Sequence, residues 1–243
     1  MGQVIAAVVH YNTPELTRAL VRSIRKWCGD AVRVVVFENS DRLPYVAEDG
    51  FGVEVLQNGG GQLVDFEKEL AKWPDKDERE AWNRWGSARH MLSIDWLVRN
   101  LDLRGEKGFL LLDSDVLLRK SIVRLAEEGS REGLAWVGER HWYEGRDGKR
   151  YERLWPMLCW IGAERCRKAG VRYFNGEWCW ALTTGPGQWW DTGAWFLAEC
   201  DRRGLKGKRV NIGEYIIHLG ASSYRDHGVL CRMWLDMWGG LWK

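Results

Sequence analysis

The sequence predicts an α/β protein whose central sheet is mostly parallel and covered by helices on both faces. Three observations predict it. Two continuous apolar runs, Val4–Val9 and Val32–Phe37, bracket a helix-forming stretch within the first forty residues, which makes a strand–helix–strand unit. A strand that is apolar at successive rather than alternate positions is buried on both faces, as in a parallel sheet. The most apolar run, Phe109–Leu112, ends abruptly in Asp113-Ser114-Asp115, and ligands of open α/β sheets sit at the carboxyl ends of such strands.

In chain order, Val4–Val9 is the first strand. Thr13-Pro14-Glu15 then starts a helix, with Thr as N-cap, Pro at the first helical position and an acid in the first turn. Leu16, Leu20, Ile24 and Trp27 give it an apolar stripe, and Gly29 ends it. Val32–Phe37 is the second strand and Val53–Leu56 a shorter third. Asn58-Gly59-Gly60-Gly61 is a flexible turn, and residues 62–78 are polar and irregular or a short helix. Glu78–Asn100 reads as a long helix with Trp82, Trp85, Leu92 and Trp96 near one face, and Gly105–Gly108 leads into Phe109–Leu112. Further on, Leu117–Glu128 contains a helix, Leu134–Val137 a strand, and residues 141–153 a charged, Gly-containing hairpin or loop. Trp155–Ala169 holds an apolar segment and then a helix. Asp191–Arg203 has a helical pattern, and Tyr215–Leu219 is a strand or a loop near a site. No internal repeat and no Gly/Ser linker interrupts the chain, so one domain is expected over residues 1–243.

Composition narrows the function classes. With 45% hydrophobic and 29% charged residues, the chain is an ordinary globular protein with a sizeable core. A net charge of +2 is small for a protein whose main task is gripping nucleic acid. The local basic clusters Arg146–Arg153, Arg165–Arg172 and Arg202–Arg209 read as solvated faces. The six cysteines form no CxxC pair and suggest neither a zinc site nor a disulfide framework. The N-terminus lacks the basic and small-residue features of a signal peptide, Ala6 stands where a myristoylation motif needs Ser or Thr, and no apolar run approaches the ~20 residues of a transmembrane helix. A cytoplasmic protein with buried thiols is therefore expected. Seventeen tryptophans are unusual. Most are expected in the core, but indole is also a flat platform on which sugar rings pack.

The strongest chemical signal is the Asp113-Ser114-Asp115 sequence at the end of a buried strand. Two carboxylates this close raise each other's pKa unless a cation neutralises them, and a hard divalent metal such as Mg²⁺ or Mn²⁺ does so with oxygen ligands. The alternative is a loop in which Asp caps the next turn. The pattern is not an EF-hand, because the expected Gly and terminal Glu are missing.

Three features in order resemble family 2 and related A-type glycosyltransferases: Val8-Val9-His10-Tyr11-Asn12-Thr13 closing the first strand, Val34-Val35-Val36-Phe37-Glu38-Asn39-Ser40-Asp41 closing the second, and the apolar strand with its DxD. Gly86–Val98 sits where such enzymes place a helix facing the donor. The resemblance covers residues 3–120 well and the rest loosely. It implies a Rossmann-like A-type fold with a nucleotide-sugar-binding half, 1–120, and an acceptor-binding half, 121–243. It further implies a hexosyltransferase type of enzyme using a nucleotide-sugar, with uridine diphosphate the commonest donor base, and a divalent metal, Mn²⁺ or Mg²⁺. Tyr11, Asn12, Thr13 and Glu38 would line the base and ribose, although Glu38 stands where the family more often has Asp. Asn58 and its glycines would approach the nucleotide, and Arg89 or His90 would reach the phosphates unless they serve only the helix surface and the core. Asp113 would lie by ribose and metal, Asp115 would ligate the metal, and His218, followed by Gly and Ser residues, would add an imidazole, with His227 in reserve.

An inverting transferase needs a carboxylate to take the acceptor hydroxyl's proton. Asp191, next to Trp189 and Trp190, is the candidate base, with the two indoles as acceptor platform; Asp191 as a helix N-cap is the alternative, and Glu177 beside Trp178 is a weaker base. The acceptor class stays open among glycan, glycolipid, protein and a modified DNA base. Two other readings compete. A haloacid-dehalogenase-like phosphotransferase would use Asp113 as nucleophile, but two strands and about a hundred residues precede the motif, and no convincing acidic pair of the kind that family uses for metal follows it. A non-catalytic Trp-rich carbohydrate-binding protein would leave the paired acids unexplained.

Overall fold

The structure, a computed structural model, describes residues 3–72, 87–144, 148–175 and 192–219. Seven strands form one sheet in the order β3-β2-β1-β4-β7-β6-β8. Its first half is parallel: β1 (Val4–His10) lies between β2 (Val32–Glu38) and β4 (Phe109–Asp113), and β3 (Val53–Gln57) adds beside β2. The second half turns antiparallel. β7 (Arg150–Ile161) runs against β4, β6 (Trp136–Glu144) runs against β7, and short β8 (Gly207–Arg209) lies parallel to β6. A separate two-stranded piece pairs β5 (Val116–Leu118) with β9 (Ile216–His218).

Strand alternation sorts the core into two layers. Ile5, Ala7, Val9, Phe37 and Leu111 point to one side, against α3 (Ser87–Asn100), α5 (Ala163–Ala169) and α6 (Ala194–Arg202). Ala6, Val8, Val36, Leu110 and Leu112 point to the other, against α1 (Pro14–Cys28) and α4 (Val123–Arg131). The expected α/β sheet with helices on both faces is therefore present, and β1, β2 and β4 are buried runs because helices cover both of their faces, whereas the edge strand β3 is only half-buried. In α1, Leu16, Leu20 and Ile24 are fully buried, and each side chain of that size stabilises by roughly 1.5–3 kcal/mol. Trp27, assigned to the same stripe, is instead 42% exposed.

Several boundaries differ from the sequence reading. Leu117 and Leu118 belong to β5 and the helix starts only at Val123, because these two residues are drawn into pairing with Ile217 and Ile216. The strand expected over Leu134–Val137 starts at Trp136 and runs on to Glu144, since its outer residues pair antiparallel with the start of β7, Tyr143 opposite Tyr151. The pattern read as helical from Asp191 is a helix from Ala194. α2 is a single short helix, Phe66–Leu70, and α3 is described from Ser87, so the expected start at Glu78, with Trp82 and Trp85, lies outside the described residues.

Two glycines make the close packing possible. Gly129 in α4 faces the Trp160 indole, and a Cβ there would stand 2.2 Å from the ring; Gly207 in β8 would collide likewise with Trp136. In β7, the register with β6 jumps from Cys159 opposite Gly138 to Leu154 opposite Arg140. Pro156 falls inside this irregularity, where its missing N–H leaves no gap in the ladder.

Candidate active site

The loops after β1, β2, β3 and β4 meet at the carboxyl end of the parallel half, and hydrogen bonds tie them together. Asn12 stands in the left-handed region at φ 53, which a short polar side chain tolerates. Its amide Nδ2 donates to Asp41 at 2.6 Å, and its Oδ1 accepts from the backbone N–H groups of Arg42 and Leu43. Tyr11 donates its hydroxyl to the other oxygen of Asp41 at 3.2 Å. The Arg89 guanidinium, from the start of α3, lies 4.0 Å from Asp41 and 5.9 Å from the centre of the Tyr11 ring. Burial works against charge on Asp41, but the donors from Asn12 and Tyr11, with Arg89 nearby, outweigh it and hold its pKa below the usual carboxylate range.

Thr13 precedes α1 but makes no capping bond from its side chain. Its hydroxyl instead lies 3.1 Å from that of Ser114, between the two aspartates. This corrects the reading of Thr13 as a side-chain cap: the hydroxyl joins the β1 loop to the β4 loop.

Glu38 and Asn58 turn inward. Glu38 is 3% exposed, and its carboxylate accepts from the backbone N–H of Ser40 at 2.6 Å and from that of Tyr45. Buried His10 lies 3.6 Å from the same carboxylate and 3.2 Å from the carbonyl of Leu43, with its other nitrogen 2.8 Å from the Thr17 hydroxyl. Together they fasten the 39–45 loop from beneath. Asn58 is equally buried: its Oδ1 accepts from Leu63 and Val64 N–H, and its Nδ2 donates to Val64 O and Asn39. Asn39 reaches on to Ser93 of α3 at 3.4 Å. These side chains shape the rim from below, while Gly59–Gly61 and the Tyr11–Asp41–Arg89 group form its surface.

The acidic centre lies one strand over. Asp113 ends β4, and its Oδ1 is buried without a hydrogen-bond partner among the described residues, 3.4 Å from His90 Nε2. Burial first, and then the charge of Asp115, lift the Asp113 carboxyl to about 7, against the opposing pull of His218 and Arg153. Burial also pushes His90 down to about 4, so the ring is neutral at pH 7. Asp115 pairs with His218 Nε2 at 3.2 Å. The β5–β9 pairing sets this contact, because it places Val116 opposite His218 and Leu219 N–H on the carbonyl of Asp115. Burial, the largest single influence on His218, disfavours its charge, but the hydrogen bond and charge of Asp115, with the charge of Asp113, raise its pKa overall. Among the described residues no three His, Cys, Asp or Glu side chains converge as a ready-made metal cage. The donors come as two couples, Asp113 with His90 and Asp115 with His218.

The structure thus brings Tyr11, Asn12, Thr13, Arg89, His90, Asp113, Asp115 and His218 to one end of the sheet and keeps Glu38 and Asn58 beneath it. Asp191, Trp189, Trp190, Glu177, Trp178 and His227 lie outside the described residues. Sequence reasoning missed Asp41 as a site residue. The signal was present, since Asp41 follows Glu-Asn-Ser at the end of β2, but nothing in one dimension says that Glu38 turns in and Asp41 turns out.

No protein-family model and no curated protein sequence matches the chain. Solved structures do match. The apo form of the glycosyltransferase GlyE from Streptococcus pneumoniae TIGR4 aligns with a TM-score of 0.52 at 9% identity, over 98% of this chain and 64% of that one. The apo structure of the bifunctional glycosyltransferase WbbM aligns with a TM-score of 0.50 at 9% identity, over 87% of this chain and 39% of that one. This chain therefore spans less than two thirds of either protein. The likeness shows the fold: a mixed α/β architecture of the A-type glycosyltransferase kind. No helix among the described residues is long and apolar enough to cross a membrane.

Proposed function

We propose that the chain is a metal-dependent glycosyltransferase that moves a sugar from a nucleotide-sugar, with a uridine diphosphate donor as the first candidate, to an acceptor hydroxyl. The observation that carries the reading is the Asp113 Oδ1 atom, a buried carboxylate oxygen with no hydrogen-bond partner among the described residues, beside a second carboxylate at the carboxyl end of β4. An isolated buried carboxylate is costly, and a divalent cation removes the cost. The carboxylate oxygens of Asp113 and Asp115, with the His218 imidazole beside Asp115, are of the donor chemistry that Mn²⁺ or Mg²⁺ would take, and holding the ion would draw the two couples together. Asp113, Asp115 and His218 would hold the ion, which when bound supplies Lewis-acid stabilisation of charge on the departing nucleotide.

The chain's own residues do the remaining work in this reading. Tyr11 and Asp41 meet the nucleoside, with Asp41 taking the outward role first expected of Glu38. Asn12 and Glu38 hold the loop that presents them, and Arg89 lies toward the phosphates. Asp191 takes the proton of the attacking hydroxyl, giving inversion, and Trp189 and Trp190 flank the acceptor. Residues 1–120 serve the donor and 121–243 the acceptor. The small net charge, +2, favours a glycan or glycolipid acceptor over nucleic acid.

The test is a thermal-shift screen of the chain with nucleoside diphosphates and nucleotide-sugars, with and without Mn²⁺. A ligand that binds only the native state raises the melting temperature by mass action. The reading expects one nucleobase to give a metal-dependent shift that is absent in Asp115→Asn; a shift of equal size without metal, or no shift with any nucleotide, contradicts it.

A further inference from the structure

The β6–β7 hairpin carries a row of rings that the donor site does not use. Period-2 alternation puts His141 and Tyr143 of β6 on one face with Tyr151, Arg153 and Trp155 of β7. The pairing confirms the row: Tyr143 is opposite Tyr151, and His141 is opposite Arg153. The side chains touch in sequence. The Tyr143 and Tyr151 rings are 5.8 Å apart, the Arg153 guanidinium stands 5.8 Å from the centre of the Tyr143 ring, and His141 stacks on Trp155 at 4.6 Å. All five side chains are half-buried. On the opposite face Arg140 bridges Glu152 and Asp201.

The row starts at the acidic centre. β7 leaves β4 at Leu158, opposite Leu112, one residue before Asp113. Trp155 packs on the same core cluster as Val116 and Ile216, which flank the Asp115–His218 pair. The charge of Arg153 also acts on Asp113. From this end the row runs outward along the hairpin.

We propose that this face of the β6–β7 hairpin is an acceptor subsite, and that its ligand is a glycan whose sugar rings lie along Tyr151, Tyr143, Arg153, His141 and Trp155. The inference rests on the transferase reading above and adds the acceptor class and its path. Aromatic rings offer flat apolar faces with polar edges, which match the C–H faces and hydroxyl rims of sugars. Rungs on one face of a strand recur about every 7 Å, a spacing comparable to one sugar residue. A single-stranded nucleic acid could also stack on such rings. Charge favours the sugar: the row holds a single guanidinium, Arg153, among its four rings. A surface that grips a polyanion sets several cations against successive phosphates.

The experiment uses the full chain, the double variant Tyr143→Ala/Tyr151→Ala and the ring-preserving Tyr143→Phe/Tyr151→Phe. Ligand-observed NMR with neutral and acidic hexasaccharides, and with a 12-mer of thymidylate, gives the binding constants, while the metal-dependent nucleotide shift is measured in parallel. The expected result is a hexasaccharide that binds the native chain, binds at least tenfold more weakly to the Ala variant and is rescued in the Phe variant, with the nucleotide shift unchanged in all three. Glycan binding that is equal in the native chain and the Ala variant overturns the subsite while a persisting nucleotide shift leaves the transferase reading standing. Tighter binding of the thymidylate 12-mer than of any hexasaccharide overturns the glycan assignment. Loss of the nucleotide shift in the native chain itself removes the transferase reading and the acceptor role with it.

Discussion

The two halves of the sheet solve different problems. In the parallel half, β3, β2, β1 and β4 all point their carboxyl ends the same way, so four loops arrive together without any strand bending. In the antiparallel half, β7 and β6 run on past that end as a hairpin, and β7 must break its register at Pro156 to do so. The first half gathers polar groups into one place. The second lays a two-stranded arm beside it. A rim of converging loops suits a compact, charged ligand such as a nucleotide, whereas an extended arm suits a ligand with length.

The comparison can be broken first at the acidic centre, where the largest effect is expected. Asp115→Asn removes one carboxylate and the His218 partner, and should weaken Mn²⁺-dependent nucleotide binding by about a hundredfold, on the scale of a lost charged group of roughly 3 kcal/mol. Calorimetric titration measures it; an unchanged metal-dependent affinity would divorce the acids from the donor.

Next comes the fastening of the rim. Glu38→Ala leaves the Ser40 and Tyr45 N–H groups without their acceptor, at a cost of about 1–3 kcal/mol for a buried unmet group. It should lower both the melting temperature and nucleotide affinity. Asp41→Asn should lower only the affinity, since Asp41 is half exposed. Equal loss of stability in the two variants would contradict the assignment of Glu38 beneath the rim and Asp41 on it.

Gly129→Ala probes the sheet away from the site. The new methyl meets the Trp160 ring, and overpacking of this kind costs about 1–3 kcal/mol, or about 2–4 °C of melting temperature per kcal/mol at this size. Nucleotide affinity measured on the folded variant should not change. A large loss of affinity would mean that the core behind β4 and β7 positions the acids more tightly than the fold suggests.

The last test is a pH slope. The Asp113 carboxyl titrates at about 7 in the fold against 3.8 as a free side chain. The native state therefore binds more protons than the unfolded chain between these values, so stability falls as pH rises through that window and levels off above it. In chelator-treated protein, Asp113→Asn should melt higher than the native chain by a margin that grows from pH 5 to about 7 and is then flat. A margin that shrinks over the same range would contradict the buried, partnerless state of the Asp113 oxygen.

The parallel half was legible in the sequence because its signals are local. Val4–Val9 and Val32–Phe37 are apolar at every position since helices cover both faces, and the acids fall directly at a strand end. The antiparallel half was less so. Nothing near Leu117 announces that it will pair with Ile217, a hundred residues on, and a helical reading was the local compromise. The same holds within the site. Glu38 and Asp41 are both acids at the end of β2, and the choice between them is made by Tyr45 and His10 below the loop and by Asn12 and Tyr11 above it. The hairpin's row of rings appeared in one dimension only as a charged segment, because its order comes from pairing across strands.

The most direct test of the central claim is the melting temperature of the native chain and of Asp115→Asn with uridine diphosphate, with and without Mn²⁺. The account predicts a rise in the native chain that needs both nucleotide and metal, and none in the variant. A rise in the native chain that is equally large without metal, or one that survives in Asp115→Asn, would contradict it.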